Sequence, residues 1–311
     1  MKLAYAFRRT AFYPYTGGTG WELPPPEVRD RYLRTVRGMG FEGLEIGYGQ
    51  GVGTDEGSIR ALGAELAAAG VPCAAVRAGG GFLRPQVAQR SREAITGGIA
   101  MAAWLDTAIV NLTVTMPTGI PAAPGEPGGG VGKRTSPGSS QGATSADYDT
   151  TARELRSLAD VAAAHGVTLS VELHQHSIAD NPWSCLHLLK LIDRPNVGIN
   201  PDLGNLYWHY EHPEASNEDA IVALAPHTKY WHCKQLQRLQ IPEHERSYYL
   251  LVPLPDGEID YRFAITAMHA AGYDGWLAIE GCRDGDQIRS DGRSAAYCKE
   301  ILAGLGASRT A

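Results

Sequence analysis

The sequence predicts an α/β chain closed as a (β/α)8 barrel, and three observations carry that expectation. Eight short apolar runs alternate with helical stretches along the 311 residues. The runs are continuously apolar rather than alternating, as expected of parallel strands covered on both faces. The length suits one barrel of about 250 residues plus an insertion. A doubly wound open sheet is the competing arrangement, but no Gly-rich fingerprint follows the first strand.

The strands are predicted at Leu3–Phe7, Gly43–Ile46, Pro72–Arg77, Ala108–Val114, Thr168–Leu173, Val197–Pro201, Lys229–Cys233 and Trp276–Glu280. Between the fourth and fifth, Ala152–Ala164 places Leu155, Leu158, Val161 and Ala162 on one helical face. His165-Gly166 then ends that helix in the usual basic-then-glycine order. Asn181-Pro182 opens the next helix with an N-cap and a first-turn proline, and Leu186, Leu189 and Ile192 follow on its apolar side.

One segment breaks the rhythm. Twenty of the thirty residues 117–146 are Gly, Pro, Ser or Thr, too few apolar groups to offset their ordering entropy. The expected organisation is a single barrel domain over residues 1–311, with 117–146 a flexible Gly/Pro/Ser-rich insertion after the fourth strand. Leaving from the C-terminal rim, it serves either as plain surface loop or as a lid or docking segment.

Composition excludes several function classes. With 28 Lys and Arg against 34 Asp and Glu, the net charge of −6 argues against a broad nucleic-acid or anionic-membrane footprint. No apolar run approaches the ~18 residues that span a bilayer, and Met1–Tyr15 does not read as a signal peptide. Five cysteines without a CxxC pair suit a reduced chain, and a cytoplasmic location is expected.

The chemistry concentrates in the second half, where all ten histidines lie. Strand five ends Val171-Glu172-Leu173-His174, strand six Asn200-Pro201-Asp202, strand seven Trp231-His232-Cys233-Lys234 and strand eight Ile279-Glu280. In a barrel these ends share one rim, so Glu172, Asp202, His232 and Glu280 are expected to meet. Charged groups inside apolar strands are costly unless paired or metal-bound, and three carboxylates with one imidazole suit a divalent ion. His174 shares the strand face of Glu172 by period-two geometry and is a candidate acid/base. Arg77 and Glu45, on strands three and two, are expected to line the pocket. The aromatic run Leu206-Tyr207-Trp208-His209-Tyr210 after strand six suits stacking on a sugar or aglycone, with Trp208 the candidate contact.

At these motifs the chain resembles the sugar phosphate isomerase/epimerase family of xylose-isomerase-like TIM barrels. Asn196-Val197-Gly198-Ile199-Asn200-Pro201-Asp202-Leu203-Gly204-Asn205 is similar to the family's strand ending in D-x-G-H, and Trp231-His232-Cys233-Lys234-Gln235 to its H-x-K-D. Gly257-Glu258-Ile259-Asp260, followed by Ala271-Gly272-Tyr273-Asp274-Gly275-Trp276-Leu277-Ala278-Ile279-Glu280, resembles the family's closing helix and eighth strand. Gly40-Phe41-Glu42-Gly43-Leu44-Glu45 resembles the approach to the second strand.

The resemblance implies that Glu172, Asp202, His232 and Glu280 hold one divalent metal, Mn²⁺ first, with Mg²⁺, Co²⁺ and Zn²⁺ open. It implies that Glu172 and Glu280 also move a proton next to the carbonyl of a keto sugar, through a metal-stabilised enediolate. Arg238, six residues past His232, matches an arginine that binds substrate oxygens; a solvated loop arginine is the alternative. Lys234 is either a substrate contact or a structural ion pair.

Two positions depart from the pattern: Asn205 stands where a substrate-binding histidine is frequent, and Gln235 replaces the aspartate. The missing histidine at Asn205, the extra His174 and the aromatic rim loop keep a lyase open on the same metal site, an inosose-type dehydratase or a C-glycoside deglycosidase subunit cleaving 3-keto-glycosides. The expected partner is a small sugar or glycoside. A homo-oligomer is left open, as is a small partner subunit in the deglycosidase case.

Overall fold

The computed structural model describes residues 1–9, 19–50, 52–116, 140–175, 177–207, 215–244, 246–282 and 285–307. Eight parallel strands form one sheet: β1 (Lys2–Tyr5), β2 (Gly43–Gly47), β3 (Cys73–Gly80), β4 (Ile109–Val114), β5 (Thr168–Glu172), β6 (Val197–Asn200), β7 (Trp231–Cys233) and β8 (Trp276–Ile279). Each strand from β1 to β5 pairs with the next in sequence. β1 also pairs with β8, and β8 with β7. The last seam, between β6 and β7, is held by the parallel bridge Ile199–Thr228 and a 3.0 Å bond from Lys229 N to Ile199 O, so the sheet curls into a barrel.

The helices are α1 (Pro26–Gly38), α2 (Glu56–Ala68), α3 (Pro85–Trp104), α4 (Ser145–Ala164), α5 (Pro182–Ile192), α6 (Asn217–Leu224), α7 (Tyr261–Ala270) and α8 (Gln287–Ala307). Local chemistry starts them where the strand–helix rhythm needs. Asn181 accepts from Ser184 N at 2.8 Å and Asp260 from Phe263 N at 2.9 Å, caps that contribute about 1 kcal/mol each. At the end of α4, His165 is the C-cap and Gly166 takes φ +69°, a left-handed turn that favours glycine.

The helix expected from Ala152 begins seven residues earlier, at Ser145. Thr144 and Asp147 form a reciprocal capping box there. The segment 117–139 lies outside the described residues, but residues 140–146 are ordered rather than loose. Ser140 is buried, its backbone N donates to Asp180 Oδ2 at 3.0 Å, and its hydroxyl accepts from Asn181 Nδ2 at 3.1 Å. The insertion is therefore pinned to the start of α5 on its C-terminal side.

Side-chain alternation along the strands sorts two environments. Leu3, Tyr5, Leu44, Ile46, Val76, Val110, Leu112 and Val171 join the large core between sheet and helices. The opposite positions cluster separately, as Ala4, Ala6, Ala75, Ala278, Trp21 and Tyr230. Small residues on β1, β3 and β8 thus leave room for large polar side chains from the other strands.

Past β7 the chain leaves the barrel as a hairpin, Gln235–Ile241 against Arg246–Val252. Gln235 anchors its base. Its amide donates to Leu254 O and Ile259 O at 3.0 and 2.8 Å, and its carbonyl accepts from Ile259 N at 2.9 Å. The residue that departs from the family's aspartate is a structural clamp here. Among the described residues, no helix is long and apolar enough to cross a membrane.

Candidate metal centre

Glu172, Asp202, His232 and Glu280 each present one ligand atom at the C-terminal mouth of the barrel, all within 4.8 Å of one another. His232 Nδ1 lies 3.3 Å from Glu280 Oε1 and 3.6 Å from Glu172 Oε1, yet it is buried without a hydrogen-bond partner. Nitrogen and oxygen ligands about 2.1 Å from a common ion stand roughly 3.0–3.5 Å apart on adjacent vertices. A buried, unpaired imidazole nitrogen at that spacing from carboxylates fits a ligand set rather than a hydrogen-bond network.

Charge supports the same reading. Glu45, Glu172 and Asp202 are buried and Glu280 nearly so, and the described basic side chains facing them are Arg77, Lys234 and His232. Carboxylates crowded together out of water repel one another, a conflict that a divalent ion among them relieves. The strain shows in the acids themselves. Burial, with Glu280 and Glu172 alongside, pushes Asp202 up to about 7 despite the opposing Lys234 ammonium. His232 is raised well above its usual range: burial opposes its charge, but Glu45 and Glu172 override it.

The other two carboxylates are held ionised. Burial works against Glu172, but the adjacent Arg77 guanidinium keeps it well below the carboxylate range. Its Oε2 accepts from Arg77 Nη1 at 2.5 Å, Thr113 Oγ1 at 3.3 Å and Asn111 Nδ2 at 3.4 Å. Its Oε1 accepts from Asn205 Nδ2 at 3.2 Å. Burial likewise disfavours the Glu280 charge, yet Lys234 brings that acid down to about 2. Lys234 Nζ bridges Asp202 Oδ2 at 2.8 Å and Glu280 Oε2 at 3.2 Å. Gly204 makes this approach feasible, because a Cβ there would collide with Cγ of Lys234.

The remaining candidates separate. Asn205 is buried beside the cluster, with its amide nitrogen also on Asp202 Oδ2 at 3.0 Å and its Oδ1 unpartnered. His174 is half-buried next to Glu172, its Nδ1 2.6 Å from Gln175 O, and burial lowers its pKa. Arg238 is on the hairpin, where its backbone N and Nη2 reach Glu258 at 2.7 and 3.3 Å. Trp208 lies outside the described residues.

Glu45, expected at the pocket lining, is buried against His232, its Oε2 2.6 Å from Nε2.

Sequence reasoning missed Trp21, Asn111, Thr113, Asn200 and Tyr230. Trp21 stacks on the His232 ring at 5.6 Å and 10°, and the Arg77 guanidinium covers Trp21 at 4.5 Å. Asn200 Oδ1 accepts from His232 N at 2.7 Å and its amide donates to Asn111 Oδ1 at 3.1 Å. A signal existed for Asn111, Thr113 and Asn200, which interrupt apolar strands at inward positions. The loop residue Trp21 left none.

The family model for the xylose isomerase-like TIM barrel matches residues 33–301. The chain belongs to that family. Among solved structures, this xylose isomerase-like barrel is similar to a Mycobacterium smegmatis protein of the same description in complex with magnesium (TM-score 0.74, 20% identity, covering 97% of this chain and 96% of that one). It is also similar to an L-ribulose 3-epimerase (0.70, 18%, 93% and 94%). A third is a probable 3-DHS dehydratase from Bacillus anthracis (0.65, 15%, 96% and 99%). Against curated proteins the sequence finds no match. At these identities the likeness establishes the fold alone.

Proposed function

We propose that this chain is a divalent-metal-dependent isomerase or epimerase that moves a proton on the carbon beside the carbonyl of a keto sugar or sugar derivative. The observation that carries the reading is the unpaired Nδ1 of His232 facing three convergent carboxylates. Glu172, Asp202, His232 and Glu280 would hold a divalent ion, which would supply Lewis acidity toward the carbonyl oxygen of the substrate. Mn²⁺ is the first choice for three carboxylates and one imidazole, with Mg²⁺, Co²⁺ and Zn²⁺ as alternatives.

The chain's own groups divide the remaining work. With Oε2 of Glu172 occupied by Arg77, Thr113 and Asn111, that carboxylate keeps its charge and turns Oε1 to the centre. Glu280, at 11% exposure the more open of the two glutamates, has Oε2 paired with Lys234 and takes the substrate proton. His174 donates from Nδ1 to Gln175 O, which leaves Nε2 a lone pair for acid/base exchange on the other side. Oδ1 of Asn205 accepts from a substrate hydroxyl. Lys234, Arg238 and Trp208 complete the substrate contacts in this reading.

A lyase on the same site is the second reading, favoured by Asn205 in the histidine position beside the additional His174. One experiment addresses both. Metal-loaded protein is incubated in D₂O with free ketoses and with 3-keto-glycosides, and products are read by mass. Epimerisation or isomerisation adds one deuterium and keeps the skeleton, whereas elimination splits off water or the aglycone. No deuterium exchange and no cleavage with any metal tried would defeat the proposal.

A further inference from the structure

We infer that Glu45 is the positioning residue of the metal centre, fixing which nitrogen of His232 faces the carboxylates. The inference rests on the metal-binding reading above. Glu45 Oε2 lies 2.6 Å from His232 Nε2 and also accepts from Tyr230 OH at 2.9 Å; Oε1 accepts from Asn111 Nδ2 at 3.2 Å. Both carboxylate oxygens are therefore engaged by donors, and the group has no free direction in which to turn. In the neutral imidazole that can ligate a metal, a carboxylate against Nε2 keeps the proton on that nitrogen and leaves the lone pair on Nδ1. Nδ1 is the nitrogen that faces Glu172 and Glu280.

The ring plane is fixed as well. Trp21 stacks on one face, Tyr230 meets the ring edge-on at 5.5 Å and 68°, and the backbone N of His232 is tied to Asn200. With the plane held by packing, the tautomer is the one remaining variable, and Glu45 sets it. A carboxylate behind a ligating imidazole also makes the ligand more basic, so the charge of Glu45 strengthens the bond that Nδ1 forms.

Replacing Glu45 by glutamine tests this with little change in volume. The amide NH₂ must stand either where Oε1 meets Asn111 or where Oε2 meets Nε2 and Tyr230, so one pairing or two are disturbed and the charge is removed. Metal-stripped wild type, Glu45→Gln and Tyr230→Phe are titrated with Mn²⁺ and Co²⁺ by calorimetry, with the visible spectrum of bound Co²⁺ as a second readout. Glu45→Gln should bind about 10–100-fold more weakly with an altered Co²⁺ spectrum, and Tyr230→Phe about threefold more weakly.

A folded Glu45→Gln protein that binds Co²⁺ as wild type does, with an unchanged spectrum, overturns the inference and leaves the metal reading standing. Should Glu45→Gln fail to fold, Tyr230→Phe decides: unchanged Mn²⁺ affinity there overturns it. Wild type that binds neither ion overturns the metal reading itself.

Discussion

The guanidinium of Arg77 donates to Glu172 Oε2 at 2.5 Å across the mouth of the barrel, and its other nitrogen takes Thr113 Oγ1 at 2.9 Å. This pair is mostly buried, with side-chain exposures of 18% and 1%. Removing one partner leaves a buried charge uncompensated, at a cost of about 3 kcal/mol or more. Arg77→Met should therefore lower stability by roughly that amount in urea unfolding. It should also raise the Glu172 carboxyl toward its ordinary range. Arg77→Lys keeps the charge but loses the second nitrogen, and should fall between. Equal stability of Arg77→Met and wild type would mean that Glu172 is balanced by other groups.

Lys234 occupies the same two carboxylates, Asp202 and Glu280, that the proposed ion would share. Without metal its ammonium is their counter-charge; with metal the ion shares that duty. Lys234→Met should thus lower the melting temperature most in the presence of chelator, and saturating Mn²⁺ should recover a larger fraction of stability than in wild type. The check is a pair of thermal melts, with EDTA and with Mn²⁺. A destabilisation of the same size in both conditions would assign the lysine a packing role unrelated to the ion.

Metal affinity should depend steeply on pH. Asp202 is pushed up to about 7 by burial and by its neighbouring carboxylates, and His232 holds its proton well above the usual range. Both protons must leave for these groups to act as ligands, so affinity rises with pH through about 7 and falls below it. The sign for stability is opposite in the metal-free protein. An acid whose folded pKa is raised contributes stability that is fully present below its unfolded value, near 3.9, and lost as pH rises through about 7. Calorimetry at about pH 6 in two buffers of different ionisation enthalpy should show proton release on Mn²⁺ binding. Heats that match between buffers would show that neither group titrates with binding.

Much of this architecture was legible in the chain because buried parallel strands write themselves as unbroken apolar runs, and strand ends such as Asn200-Pro201-Asp202 and Trp231-His232 stand out against them. The convergence of Glu172, Asp202, His232 and Glu280 follows from barrel closure, which brings strand ends far apart in sequence to one rim. What supports them was harder to read. Glu45 has the residue type of a pocket group, but its contact with His232 follows a register irregularity between Leu44 and Glu45 that no local pattern announces. Trp21 reaches His232 from a loop without periodicity. The early start of α4 was missed for a different reason: Thr144 and Asp147 sit at the end of a Gly- and Ser-rich tract, where the cap signal is diluted by its surroundings.

Away from the metal centre, Asp291 on α8 offers a test of the fold's own electrostatics. Its Oδ2 accepts from Tyr5 OH and its Oδ1 from Cys282 N at 2.8 Å, joining α8 to the end of β1 and to the chain just past β8. Burial pushes this carboxyl up to about 6, against the hydrogen bonds that favour its charge. Its stabilising contribution is therefore complete below about pH 4 and lost as pH rises through about 6, a change of about 3 kcal/mol for a shift of two units. Asparagine cannot ionise, although its NH₂ must face one of the donors and forfeit a bond worth about 1 kcal/mol. Wild type should be the more stable of the two near pH 4, and Asp291→Asn should overtake it by about pH 7. Urea unfolding at both pH values measures the difference directly. A stability gap that stays constant from pH 4 to 7 would show that Asp291 keeps one protonation state throughout.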